Sequence, residues 1–162
     1  MNTNAFRHFY EYHFTENRNI WDSYVSQLSQ EQFTMDVGYS HGSVRDQIFH
    51  LINVDDVWFS DLHRVSLPEP LNPADFPDLE TIRAYWDNVE KRMRAYLADL
   101  QDDMLSTKPL AGEDKDLRVW QVLLHVVNHG TDHRAQLLRL LNDLGLETTS
   151  QDYIFFVYEN LL

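Results

Sequence analysis

The sequence of 162 residues contains no cysteine. This absence excludes disulfides, thiolate zinc sites, iron–sulfur clusters and a nucleophilic thiol supplied by the protein itself. A chain without cysteine is compatible with a reducing compartment, and we expect a cytoplasmic location. Any thiol chemistry would therefore have to use a thiol that comes from another molecule.

Basic residues are scarce as well. The chain has 13 lysines and arginines against 26 aspartates and glutamates, which gives a formal net charge of −13. Because no basic run is present, we expect binding neither to nucleic acid nor to an anionic membrane surface. No stretch approaches the roughly 18 apolar residues of a membrane span, and the amino terminus lacks the apolar run of a secretion signal.

Apolar residues recur at the three- and four-residue spacing of a helix face in four long stretches. The predicted helices cover residues 4–28, 43–63, 79–101 and 117–144. No stretch alternates between apolar and polar residues as a half-buried strand does. Because each apolar face can be buried only against the others, the sequence predicts one all-α domain over residues 1–162, with the architecture of a four-helix bundle.

Proline is concentrated in one place, since four of the five prolines lie in the segment 64–78. Each proline removes a backbone donor and disfavours helix in the residue before it, so this segment is predicted to be a long connection. A segment of this length extends to about 50 Å, whereas a helix of about 21 residues is about 31 Å long. The connection can therefore cross the bundle and make the second and third helices parallel, in an up-down-down-up order.

Histidine is abundant, and three of the eight histidines fall within nine residues of the last predicted helix. His125, His129 and His133 are spaced four apart, so their imidazoles share one helix face, which is a common way to hold a metal ion. The alternative is that a carbonyl, a carboxylate or water satisfies each side chain separately. One ion cannot bind both His125 and His133, because eight residues of helix rise about 12 Å and metal–nitrogen bonds are about 2 Å long.

A third ligand must come from another helix, and His50, in the apolar stretch IFHLI, is the best-placed candidate. His50 could equally be a buried neutral histidine bonded to a backbone carbonyl. The parallel crossing places His50 near the level of Leu137 on the last helix, which favours His129 and His133 over His125. The remaining histidines are not predicted ligands: His13 is expected in the core or a pocket, and His8, His41 and His63 are expected to face solvent.

Two stretches around these histidines carry a family resemblance. DQIFHLINVDDVW contains His50, and HVVNHGTDHRAQL contains His129, His133 and Arg134. With the turn LSQEQF, the proline-rich crossing and the tail DYIFF, the chain resembles the DinB family over nearly its whole length. A small departure from the family pattern is Ala135, which leaves the histidines untouched.

This resemblance implies a divalent metal ion held by three imidazoles, at the positions that match His50, His129 and His133, with water or substrate on the open face. Zinc is the favoured metal, and nickel or iron are alternatives, since imidazole suits each of them. The family name refers to a damage-inducible gene and implies no binding to DNA, in agreement with the negative charge.

Relatives of DinB type include transferases and isomerases that act with low-molecular-weight thiols such as mycothiol or bacillithiol. By this resemblance, the leading hypothesis is a metal-dependent transferase in which the thiol attacks a small electrophilic substrate. Activation of water, and hence a hydrolase, is the other enzymatic option. No acidic pair is spaced as an acid–base couple, so no catalytic residue is predicted. Four aspartates are expected to be solvated or to support the ligands: Asp46, Asp55, Asp56 and Asp132.

The competing hypothesis is a non-catalytic metal-binding stress protein or an oligomeric scaffold. The tail DYIFFVYENLL is too apolar to remain in water, so it is predicted to pack on the bundle or on a partner chain. We therefore predict a homodimer, with the apolar residues of 153–158 at the contact.

Overall fold

The computed structural model describes residues 1–160, and within them it contains six α-helices and no strand. The helices are α1 Thr3–Ser23, α2 Gln30–Thr34, α3 Val44–Leu62, α4 Leu79–Asp99, α5 Val119–Asp143 and α6 Tyr153–Glu159. The predicted all-α class is confirmed, and α1, α3, α4 and α5 correspond to the four predicted stretches. Within the same range, no helix is both long enough and apolar enough to cross a membrane.

Side-chain caps explain where α3 and α4 begin. Ser43 Oγ accepts a hydrogen bond from the backbone N–H of Asp46 at 3.1 Å. Asp78 Oδ1 accepts one from the backbone N–H of Thr81 at 2.8 Å. Each bond satisfies a donor that the first helical turn would otherwise leave without a partner. The cap at Ser43 also fixes the end of the loop that approaches the candidate site.

The first helix ends at Ser23, earlier than the predicted end at residue 28. Tyr24 leaves the helical conformation with φ −129° and ψ −57°, and a 3-10 turn over Val25–Gln27 follows. This turn buries Val25 and Leu28. The apolar pattern predicted a longer helix because a 3-10 turn keeps nearly the same three-residue spacing of apolar side chains.

Contacts between α3 and α5 give the relative direction of the two helices that carry most of the candidate ligands. Gln47, near the start of α3, contacts His133, in the second half of α5. Trp58, near the end of α3, contacts His125, near the start of α5. The pairs run in opposite order along the two helices, as they do between antiparallel neighbours.

Contacts between α3 and α4 run in the same order along both helices. Asp56 accepts a hydrogen bond from the hydroxyl of Tyr85 at 2.8 Å. Further along both helices, the ring of His63 lies 5.1 Å from that of Tyr96. This is the order of parallel neighbours, and it agrees with a crossing of the bundle by the segment 64–78.

A buried polar network joins α1, α3 and α5 inside the apolar core. Arg134 of α5 is 0% exposed, and its Nη1 donates to Nδ1 of His13 and to Oδ1 of Asn17, each at 3.1 Å. On the far side of the ring, Nε2 of His13 lies 3.2 Å from Oδ2 of Asp55. Nε of Arg134 donates to Oε1 of Gln151 at 2.8 Å, so the network also holds the segment that follows α5.

The partners of His13 determine which of its nitrogens carries the proton. A guanidinium can only donate, so Nδ1 of His13 accepts from Arg134 and Nε2 carries the hydrogen. Nε2–H then donates to Asp55, and a neutral imidazole connects a buried cation to a buried anion. This arrangement offsets part of the cost of removing both charges from water. His13 is therefore a satisfied core residue, as expected from the sequence.

Gly130 lies where α5 passes closest to His13. A Cβ atom at Gly130 would be 2.5 Å from Cε1 of His13 and 3.1 Å from Nη1 of Arg134. Since carbon atoms that are not bonded do not approach to 2.5 Å, any larger residue here would displace the imidazole or separate the helices. A glycine in the middle of a helix lowers helix stability, and here the network requires it.

The carboxyl-terminal helix α6 packs one side chain into the core and leaves others in solvent. Phe156 is buried, and its ring lies 5.7 Å from that of Tyr12. Four neighbouring apolar side chains are exposed: Tyr153, Ile154, Phe155 and Tyr158. The tail thus packs on its own bundle through Phe156, and the homodimer stays a prediction. Leu161 and Leu162 lie outside the described residues.

We expect Gly130→Ala to destabilise the protein by about 1–3 kcal/mol, because the added methyl group overlaps the His13 ring. The cost of this overlap exceeds the stability that alanine adds through its higher helix propensity. Urea unfolding followed by circular dichroism measures the change. His13→Ala provides the matched background, since it removes the ring that the methyl group would meet. Gly130→Ala should cost less in that background than in the wild type, and an equal cost in both would contradict the close approach.

Candidate metal centre

Three predicted ligands meet between α3 and α5. Nε2 of His50 lies 3.0 Å from Nε2 of His129. The ring centroid of His133 lies 4.4 Å from that of His50 and 4.2 Å from that of His129. One helix therefore supplies one imidazole, and the other supplies two from successive turns of the same face.

A fourth imidazole joins this cluster from outside the two helices. His41 is an exposed residue before α3, and its ring stacks on His50 with the centroids 4.0 Å apart. One nitrogen each of His41, His50 and His133 lie within 4.8 Å of one another. The sequence prediction placed His41 in solvent and missed this contact. The contact could have been predicted from the place of His41 in the sequence, since it lies just before the cap of the helix that carries His50.

The geometry of the cluster fits a divalent ion. Two nitrogen atoms that are 3.0 Å apart, each bonded to one ion at about 2.0–2.1 Å, subtend an angle of about 95° at that ion. This is close to the angle of about 90° in a six-coordinate site and about 15° below the tetrahedral angle of a four-coordinate site. His50 and His129 thus already have a separation that two ligands of one ion require.

Burial lowers the pKa of three imidazoles of the cluster, those of His50, His129 and His133, and so favours their neutral form. Desolvation, with smaller contributions from His41 and His133, lowers the pKa of His50 to about 4. Desolvation, followed by the neighbouring imidazoles, lowers the pKa of His129 to about 3. The pKa of His133 is lowered for the same reasons. Near pH 7 these rings hold no second proton that a metal ion would have to displace.

Gln47 supports the ring of His133. Its side chain is fully buried, and its Nε2 lies 2.8 Å from Nδ1 and 3.1 Å from the backbone oxygen of His133. The two orientations of the Gln47 amide select the two tautomers of His133, since Nε2 donates to Nδ1 and Oε1 accepts from Nδ1–H. Because Nδ1 is bonded to Gln47 in both cases, Nε2 is the nitrogen of His133 that can bind an ion, and its lone pair is free when Oε1 of Gln47 accepts from Nδ1–H. The sequence analysis missed this residue, because a glutamine in a helix carries no distinguishing pattern.

The other histidines do not belong to the cluster. His125 lies one turn from His129, with ring centroids 5.6 Å apart, and its ring meets the edge of Trp58 at 5.3 Å. His8 packs beside Tyr153. His63 is exposed beside α4. The structure thus places His125 farther from the cluster than His129 and His133, and the choice of ligands stays a prediction.

Two aspartates near the middle of α3 are buried, contrary to the expectation of solvated or supporting groups. Asp55 accepts from His13 in the core network. Asp56 accepts from Tyr85 and pairs with Arg92. Their oxygens already have hydrogen-bond donors, so neither carboxylate is available as a base at the imidazole cluster.

Two cavities of the protein lie elsewhere. Cavities of about 460 and 640 Å³ are bordered by α1, α5 and the segment before and within α6, and none of the four clustered imidazoles lines them. The cluster is instead half-buried and opens towards solvent beside His41. A substrate would approach it as an open site rather than enter a closed chamber.

In the metal-free protein we expect His50 and His129 to remain neutral at pH 5.5. Their pKa values of about 4 and about 3 lie below the ordinary value of 6.5. In the unfolded chain His50 and His129 bind a proton at a higher pH than they do in the folded protein. The free energy of unfolding should therefore decrease as the pH falls from about 6.5 towards 4. NMR titration of the ring carbons, assigned with alanine variants, tests this, with the protein in urea as the control. Titration near 6.5 in the folded protein would contradict it.

Comparison with known proteins gives two matches. The model of the DinB family matches residues 1–160 of this chain. The protein named Protein DinB from Bacillus subtilis (strain 168) is 24% identical over 158 residues, which cover 92% of this chain and 91% of that protein. Both matches therefore extend over most of the chain, and the family model spans every residue of the imidazole cluster.

Proposed function

Because this chain belongs to the DinB family, we propose that it binds one divalent metal ion through His50, His129 and His133. The observation that carries the proposal is the 3.0 Å separation between Nε2 of His50 and Nε2 of His129, which come from different helices. Without an ion, one ring donates its Nε2–H to the other, and two nitrogens held at this distance are also placed to bind one ion. The third ring, His133, borders both.

Zinc is the metal we propose first. Three imidazoles are a common ligand set for zinc in sites that react with substrates, and they leave at least one position for another ligand. Nickel and iron also accept imidazole, so the choice among the three depends on geometry and on the supply of each metal. The absence of cysteine from the sequence makes an all-nitrogen set the natural one for this chain.

We propose that the reaction is the transfer of a low-molecular-weight thiol to a small electrophile. An ion in this centre would lower the pKa of a thiol or water molecule placed beside it. The chain contributes neutral ligands, so the positive charge of the centre is not cancelled by carboxylates. Gln47 holds His133 in one orientation. Half-burial of the three ligands limits competition from bulk water.

The first prediction concerns metal content. Alanine substitution of His50, His129 or His133 should remove most of the bound metal from a chain that otherwise holds about one ion, whereas His125→Ala should retain it. Mass spectrometry of the dialysed proteins measures the content, and circular dichroism verifies that each variant is folded. Loss at His125 together with retention at His133 would contradict the proposed ligand set.

The second prediction concerns activity. The zinc-loaded protein should accelerate the reaction of a thiol such as bacillithiol or mycothiol with monochlorobimane. In this reaction sulfur forms a bond to carbon, chloride leaves, and the thiol proton passes to solvent. Fluorescence of the product measures the rate, and His129→Ala serves as the folded variant without a complete centre. No thiol-dependent rate above that of the variant would favour the non-catalytic scaffold.

A further inference from the structure

His41 is the one clustered imidazole that is carried by a loop. Residues 35–43, which we call the His41 loop, join α2 to α3. The ring of His41 is stacked on that of His50 with an interplanar angle of 24°, and its centroid is 5.4 Å from that of His133. Because the residue is exposed, its ring lies between the candidate ligands and solvent.

The backbone of the His41 loop is tightly folded. The N–H of Val37 donates to the oxygen of Gly42 at 2.8 Å, and the N–H of Gly42 donates to the oxygen of Tyr39 at 2.9 Å. Between them, Ser40 has φ 54°, in the left-handed region that is unfavourable for a residue with a Cβ atom. Such a conformation persists only when surrounding contacts maintain it.

Ser40 makes those contacts with both helices of the centre. Its Oγ lies 2.9 Å from Oε1 of Gln47 on α3 and also contacts Oε1 of Gln136 on α5, and its single hydrogen is donated to one of these oxygens at a time. The same Gln47 side chain is bonded to His133. Since His41 directly follows Ser40, these bonds place its imidazole at the centre rather than leave it free in solvent.

We propose that His41 is a fourth and exchangeable ligand, which occupies the position that a substrate thiol must take. This inference rests on the proposed function, since it requires a metal ion at the centre. His50 and His133 are held by helices, and the nitrogens of all three residues lie within 4.8 Å of one another. His41, in contrast, is released by movement of its loop alone. In the exchange the bond from His41 to the ion would break, a bond from sulfur to the ion would form, the thiol proton would pass to solvent, and no oxidation state would change.

An exchangeable imidazole gives the centre a preference for thiols over water. Thiolates bind zinc strongly, whereas water is a weak ligand compared with imidazole. A thiol therefore competes with His41, but water does so poorly. The His41 loop would thus favour thiol transfer and suppress hydrolysis at the same centre.

Two variants separate a ligand from a packing residue. His41→Ala removes the ring, whereas His41→Phe keeps a ring that stacks on His50 and removes both nitrogens. The full-length wild type and both variants are loaded with Co²⁺, and visible absorption reports the ligands of the ion. The affinity for azide of the Co²⁺ proteins measures how readily an external ligand takes the position proposed for His41. Competition with a chromogenic chelator measures the affinity for Zn²⁺.

Both variants should show the same altered Co²⁺ spectrum, about tenfold or more tighter azide binding and about tenfold or more weaker Zn²⁺ binding than the wild type. If His41→Phe behaves as the wild type, or if neither variant differs from it, His41 is not a ligand, although the three-histidine centre stands. If the wild type binds neither Co²⁺ nor Zn²⁺, both this inference and the proposed function are wrong.

Discussion

The buried hydrogen bond from Arg134 to His13 is the contact on which the candidate site depends. Successive residues of a helix point about 100° apart, so α5 presents two different stripes within one stretch. Gly130 and Arg134 form the stripe that faces α1, where the glycine admits the His13 ring and the guanidinium binds it. His129 and His133, each one residue earlier, form the stripe that faces α3. The contacts of the first stripe with α1 fix the rotation of α5 about its axis. They therefore also fix the direction in which the second stripe points.

The partners of each histidine decide its chemistry. His13 is placed between a donor that cannot accept and a carboxylate, so both of its nitrogens are engaged and it is confined to a structural role. His50 and His129 face each other instead, with neutral rings and with their Nε2 atoms 3.0 Å apart. His125 has the same helical spacing as its neighbours, but at its level α3 presents Trp58 rather than an imidazole. Histidines with identical side chains thus have different roles: one is a core residue, two are candidate ligands and one is neither.

Two electrostatic effects favour cation binding at the centre, the net charge of the whole chain and the lowered pKa values of the imidazoles. Over the whole chain, a net charge of −13 favours the approach of cations. Within the centre, burial and mutual repulsion lower the imidazole pKa values, so cation binding there requires no prior loss of protons. The nearest buried carboxylate on α3, that of Asp55, is committed to the core network. The candidate site therefore remains a set of neutral nitrogens inside an acidic protein.

The spacing of apolar residues by itself determined the all-α class and the four long helices, because helical periodicity is a local property. The same local spacing grouped His125, His129 and His133, the apolar stretch around His50 favoured that residue as the third ligand, and the length of the proline-rich segment favoured His129 and His133 over His125. Only the tertiary structure decided that His41 and Gln47 join them. Their places depend on a left-handed loop residue and on bonds to two separate helices, and no local pattern in the sequence encodes distances across such contacts.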